Sequence, residues 1–245
     1  MSNKKVAQEL VDGLKEMGVK HVFGVPSGGW VDYMEALRVT EGIEFILTTH
    51  EGGGAFMADV CGRLSGAPGV CFGTFGPGAT NLSTGVGSAY LDRSPMIALS
   101  DEMPAPLRNR ITQMGIDHQA LFAPITKETT RLQVDCVRTT LKQAERTALS
   151  GRPGPVHIGL PAGLGAEEYT ANEQLELPSL EIHKAKESVL RDMQSCFIDA
   201  KKPLFVVGLG AVQAGLKEEI QALAERFDVP VVLTPMAKGM LAESH

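Results

Sequence analysis

Positive charge is in short supply in this 245-residue chain: 23 lysines and arginines face 29 aspartates and glutamates, a net charge of -6. That balance is the opposite of the clustered basic surface that a nucleic-acid duplex recruits, so nucleic acid is set aside as a partner. Long apolar runs are also missing. No stretch of about 18 apolar residues is present to cross a bilayer, so no membrane partner is expected. The opening segment MSNKKVAQELVDGLKEMG lacks the apolar centre of a secretory signal and instead spaces Val6, Leu10, Leu14 and Met17 as an amphipathic helix does. Cysteines number four, at 61, 71, 136 and 196, with no Cys-x-x-Cys pair among them. Dispersed thiols of this kind point to reduced side chains in a cytoplasm rather than to disulfides or a zinc site, and no metal ligand set is legible.

Glycine (27) and proline (14) are plentiful, which implies many tight turns between short elements. Apolar, β-branched runs recur at 21–25, 43–47, 69–74, 95–100 and 155–161, and helical patterns lie between them near 4–17, 30–38, 51–64, 80–91 and 136–149. That alternation predicts βαβ units and a parallel sheet. In the last helix, Leu141, Ala144, Ala148 and Leu149 fall on one side. The unit is expected to close at residue 164, with a polar, acidic linker over 165–186. A second βαβ pattern then occupies 187–245: a helix at 187–200, a strand PLFVVGLGA, a helix at 215–227 and a strand VPVVLTPMA. Only two strands of this second domain are present, so it is expected to be incomplete.

Three stretches carry candidate chemistry. Gly73-Thr74-Phe75-Gly76-Pro77-Gly78-Ala79-Thr80-Asn81 ends a strand and opens a helix, the place where open α/β sheets bind ligands through bare backbone N–H groups. Pro26-Ser27-Gly28-Gly29 is a second turn of this kind. HEGGGAFMAD, at 50–59, puts three glycines into the first turns of a helix, although each costs a helix interior about 1 kcal/mol relative to alanine. Glu51 reads locally either as a charge complementing the helix dipole or as a functional carboxylate. His50 reads as a packed or capping residue. Asp92-Arg93 and the arginines at 108 and 110 read as solvated charges.

Taken together these stretches resemble the thiamine-diphosphate-dependent carboligases and decarboxylases of the acetolactate synthase type. The strand running into His50-Glu51, with Ala55, Ala58-Asp59 and Arg63 after it, matches the family's His-Glu segment. GTFGPGATNLSTGVGSAYLDRSPMIALS is similar to its TSGPGATN segment and following strand. PITK at 124–127 and SGRPGPVHIGLP match later signatures, and 202–245 resembles the start of the central domain. There are departures. The family usually has serine at Phe75, Gly-Gln at Asp101-Glu102 and Phe-Gln-Glu before PITK, where residues 113–117 here are closer to benzaldehyde-lyase-like members.

The resemblance implies a six-stranded parallel sheet with helices on both faces, the pyrimidine-binding domain over 1–164. It implies that Glu51 hydrogen-bonds the cofactor's aminopyrimidine at N1′ and promotes loss of the C2 proton. Pro26, Thr74, Gly76, Gly78 and Asn81 would line that ring pocket, and Gln113 would face a small 2-oxo acid. It further implies thiamine diphosphate, Mg²⁺ held by a separate C-terminal domain whose Gly-Asp-Gly segment does not occur here, and a homodimer or homotetramer. It leaves open whether the central domain holds FAD. On this reading the 245 residues alone would be inactive. The alternatives are a benzaldehyde-lyase-like or other thiamine-diphosphate lyase, and a non-catalytic nucleotide-binding module in which Glu51 only starts a helix.

Overall fold

The computed structural model describes residues 4–108, 110, 112, 114–171 and 185–245. The chain divides into two compact units, Met1–Leu180 and Glu181–His245. In the first, the elements run α1 (Val6–Glu16), β1 (His21–Gly24), α2 (Val31–Val39), β2 (Glu44–Leu47), α3 (Glu51–Ser65), β3 (Gly69–Gly73), α4 (Pro77–Asp92), β4 (Met96–Glu102), α5 (His118–Phe122), β5 (Thr129–Arg131), α6 (Val137–Leu149) and β6 (Pro155–Pro161). Six strands form one parallel sheet in the order β2-β1-β3-β4-β6-β5. The chain turns from β1 outward to β2 and then returns to place β3 on the other side of β1, so the topological switch lies between β1 and β3. A crevice opens at the carboxyl ends of the strands at such a point.

Helices cover both faces. On one, Val6, Leu10 and Leu14 of α1 pack with Tyr33 and Leu37 of α2, Leu141 of α6 and the side chains of Val22, Val70, Ile97 and Ile158. On the other, Ala55 and Ala58 of α3, Leu82 and Val86 of α4 and Phe122 of α5 pack on Cys71, Met96 and Ala98. The central strands β3 and β4 are buried along their whole length, as their continuous apolar runs require. Two details differ from the sequence-based expectations. Leu149 points outward at the end of α6, whose buried side is Val137, Leu141, Ala144 and Ala148. The edge strand β5 is only Thr129–Arg131, half-buried and without an apolar residue, so periodicity gave no sign of it.

The second unit contains α7 (Glu187–Asp199), β7 (Phe205–Val207), α8 (Leu209–Gln213), α9 (Lys217–Phe227) and β8 (Val231–Leu233). Its two strands pair in parallel, and Phe197 stacks on Phe205 and meets Phe227 edge-on. All four cysteines are free thiols. Among the described residues no helix is long and apolar enough to cross a membrane, and no group of three metal-ligating side chains converges.

Candidate functional site

Glu51 is the first residue of α3, delivered there by β2 and the short link that follows it. His50 takes the N-cap position with extended backbone, and its ring Nδ1 accepts the Gly52 N–H at 3.0 Å. The histidine is therefore a cap. Glu51 itself is buried, 8% exposed, a place a carboxylate with only a dipole to complement has no need to occupy. Its Oε2 accepts from Asn81 Nδ2 on α4 at 3.0 Å. Its Oε1 faces Gly78, where any Cβ would stand 3.2 Å from that oxygen and 2.7 Å from Thr74 Cγ2. A glycine here keeps a small cradle open between the carboxylate and the turn that starts α4.

The three glycines after Glu51 have different causes. A Cβ at Gly52 would lie 3.0 Å from His50 Nδ1 and 3.3 Å from the Asn81 carbonyl, and one at Gly54 would lie 3.2 Å from the Gly24 nitrogen on β1. Packing inside this chain accounts for both. Among the described residues a Cβ at Gly53 would face open space, with nothing within 4 Å, so no contact among them explains it.

Gly76 caps α4 at φ 52, ψ -104, a left-handed-side conformation that favours glycine, and Pro77 supplies the first helical residue. Across the switch point, Ser27 in the turn after β1 donates to Asp101 Oδ2, and Thr74 Oγ1 donates to the same oxygen at 3.4 Å. Asp101, the penultimate residue of β4, has no exposed surface, and among the described residues its Oδ1 has no partner. Burial pushes its carboxyl up to about 6, although the two hydroxyls pull the other way. A Cβ at Gly29 would come within 2.9 Å of Asp101 Oδ2, so the second glycine turn is shaped around this acid.

The structure thus brings Glu51, Thr74, Gly78 and Asn81 into contact, sets Gly76 at the head of the same helix, and ties the Pro26-Ser27 turn to Thr74 through Asp101. Gln113 lies outside the described residues. Asp101 was missed as a site residue. Its signal was present as the departure from the usual Gly-Gln, an acid at the carboxyl end of a central strand. His118, Ser100 and His157 were missed too, because they meet only in three dimensions: Ser100 Oγ lies 3.0 Å from His118 Nδ1 and 2.8 Å from His157 Nε2. His118 also borders a cavity of about 420 Å³ with Phe75, Glu102, Arg108 and Arg131.

Comparison with known families gives two matches in succession along the chain. The domain described as the thiamine pyrophosphate enzyme N-terminal TPP binding domain matches residues 4–121, and the thiamine pyrophosphate enzyme central domain matches 190–245. The chain belongs to the thiamine pyrophosphate enzyme family and is acetolactate synthase-like. It is 36% identical to the probable acetolactate synthase large subunit of Methanocaldococcus jannaschii, over 98% of this chain and 42% of that protein. It is 36% identical to the acetolactate synthase of Arthrospira platensis, over 96% of this chain and 42% of the relative. With the acetolactate synthase isozyme 3 large subunit of Escherichia coli K12 the identity is 34%, over 98% and 43%. The chain thus spans well under half the length of the curated relatives it matches.

Proposed function

We propose that this chain forms the pyrimidine-binding half of a thiamine-diphosphate-dependent carboligase or decarboxylase acting on a small 2-oxo acid. The observation that carries this reading is Glu51: a buried carboxylate, gripped through one oxygen by Asn81, with the other oxygen turned to a cradle that only glycine at 78 leaves open. A ring nitrogen lodged at that cradle would face Oε1, the oxygen of Glu51 placed to hold a proton against it. Asn81 fixes the rotamer of the acid, so the hydrogen bond costs little reorganisation when it forms. Thr74 and Gly76 shape the wall of the pocket, and Pro26 closes it from the neighbouring turn. Gln113 faces the 2-oxo acid. When bound, thiamine diphosphate supplies a carbon acid and an electron sink for decarboxylation. Mg²⁺ and the diphosphate belong, on this reading, to a domain of the type that relatives carry beyond the matched length. The full-length protein is a cytoplasmic homo-oligomer.

The test is Glu51→Gln in the full-length protein. Glutamine keeps the size and one acceptor but cannot hold the proton, so hydrogen–deuterium exchange at C2 of bound thiamine diphosphate should slow by about 10²–10⁴-fold while the melting temperature stays close to wild type. An unchanged exchange rate, with turnover intact, would return Glu51 to the role of a helix-start charge. Tight binding of an adenylate, with no response to thiamine diphosphate, would favour the nucleotide-binding alternative.

A further inference from the structure

The glycine turn that opens α4 is held from outside its own segment. The N–H of Gly76 donates to His118 Nε2 at 3.2 Å. A backbone N–H can only donate, so Nε2 must present its lone pair, and a neutral ring then carries its proton on Nδ1. That assignment propagates. His118 Nδ1–H donates to Ser100 Oγ at 3.0 Å, which leaves the serine proton for His157 Nε2 at 2.8 Å. His157 must then donate from Nδ1 to Thr129 Oγ1 at 2.7 Å, and Thr129 passes its own proton to Gln119 Oε1 at 2.7 Å. Gln119 Nε2 ends the series by donating to Glu102 Oε1 at 2.6 Å and to the Thr130 carbonyl at 3.0 Å. Every hydroxyl and ring nitrogen in the series finds a partner of the right kind, with one direction throughout. The other His118 tautomer would set two N–H groups against each other at Gly76.

We infer that His118 is a positioning residue for the Gly76 turn of the proposed ring pocket, and that it works only as the neutral Nδ1–H tautomer, which the relay to Glu102 enforces. The identity of the ring pocket rests on the function proposed above; the turn, the tautomer and the relay do not. The surroundings favour the neutral ring. His118 is 3% exposed and His157 is fully buried. Burial is the largest influence lowering His118, Arg131 lowers it further, and Glu102 and Asp117 pull it upward without prevailing. His157, the fourth titratable neighbour, is lowered by burial, by His118 and by Arg131. Protonating His118 turns Nε2 from acceptor to donor, so the Gly76 N–H loses its partner and the turn its external anchor.

The experiment uses this 245-residue chain, ¹⁵N-labelled at histidine and backbone, without cofactor. Long-range ¹H–¹⁵N spectra at neutral pH should show a protonated, pyrrole-type Nδ1 and a bare, pyridine-type Nε2 for His118. An Nε2–H tautomer or a charged ring at that pH would overturn the proposal. Amide exchange at Gly76 should be slow relative to its intrinsic rate, and this protection, corrected for the intrinsic pH dependence of exchange, should fall on acidification with the same midpoint as His118 protonation. His118→Phe keeps a ring in place without the acceptor, and should raise Gly76 exchange by about tenfold, the loss of one buried hydrogen bond. Should that variant not fold, Ser100→Ala leaves His118 in place but removes the acceptor for its Nδ1–H. The Nε2–H tautomer should then gain population and Gly76 exchange should rise. Unchanged Gly76 exchange in a folded variant, or unchanged tautomer populations in Ser100→Ala, would overturn the assignment. Because no cofactor is present, failure here is distinct from failure of the thiamine-diphosphate reading, which the C2 exchange experiment decides.

Discussion

Asp101 and Glu51 are two buried carboxylates on either side of one crevice, and their surroundings set them different tasks. Glu51 is braced by an amide on one oxygen and faces an open cradle with the other. Asp101 is sealed, with both hydroxyl donors on Oδ2 and, among the described residues, none on Oδ1. A charged oxygen without a donor is costly to bury, which is why its carboxyl is pushed up to about 6. Because the folded value lies above that of an unfolded aspartate, near 4, the native state binds the extra proton. Its charge therefore burdens the fold fully above pH 6, and the burden fades as pH falls toward 4. Asp101→Asn removes the charge and keeps an acceptor for Ser27. We expect it to raise the melting temperature of the chain at pH 8, by a gain on the order of 1–3 kcal/mol, and to have little effect at pH 4. A variant equally or less stable than wild type at pH 8 would show that a donor satisfies Oδ1 in solution. The sequence marked Asp101 only by its departure from the usual Gly-Gln and not by its surroundings, because a serine 74 positions away supplies its partner. The surroundings of Glu51, by contrast, were legible: its motif is contiguous, and its neighbours Gly78 and Asn81 follow within one strand-turn-helix.

At the scale of elements, the five apolar runs and the helices between them were readable because the central strands β3 and β4 are buried on both faces and helices such as α6 keep one covered side. The edge strand β5 and the five-residue helix α5 were not, since neither is long enough to show a period. These two short elements carry Thr129, His118 and Gln119, so half of the buried relay was hidden with them. The pairing of α3 with α4 is set by small residues: a Cβ at Gly85 would fall 2.4 Å from the Ala55 Cβ, whereas a Cβ at Gly53, two residues before Ala55 on α3, would have nothing within 4 Å. Opposite outcomes are expected for two like substitutions. Gly85→Ala should force the helices apart and destabilise the chain by about 1–3 kcal/mol. Gly53→Ala should instead stabilise it by about 0.5–1 kcal/mol through helix propensity alone. Urea titrations of the two variants beside wild type measure both. A destabilised Gly53→Ala would mean that the open side of α3 is covered even within this chain.

Over the whole molecule, the surface on which Gly53 lies is the largest feature that the fold of the first unit leaves unexplained. Phe56, Met57, Val60 and Leu64 follow Gly53 at helical spacing on α3, and Tyr90 and Leu91 continue the apolar surface on α4, with Leu64 and Leu91 each 81% exposed. The other side of α3 is already packed on β1 and β3, so this stripe contributes nothing to the core of its own unit. A contiguous apolar stripe next to a binding crevice marks an interaction surface. A bare glycine at its head lets another backbone come close, which gives Gly53 the purpose its own chain does not. We therefore expect the full-length protein to be a homo-oligomer through this face, with the crevice of one copy beside the other. Sedimentation at micromolar concentration should show at least a dimer. Val60→Asp, which places a charge in the middle of the stripe at a position 49% exposed, should weaken association by about tenfold or more while leaving the circular-dichroism melt of the 245-residue chain within about 0.5 kcal/mol of wild type. Gly53→Ala should weaken association as well, although it stabilises the chain. A full-length protein that sediments as a monomer at that concentration, or a Val60→Asp variant with undiminished association, would detach the apolar stripe from assembly and leave Gly53 without a cause.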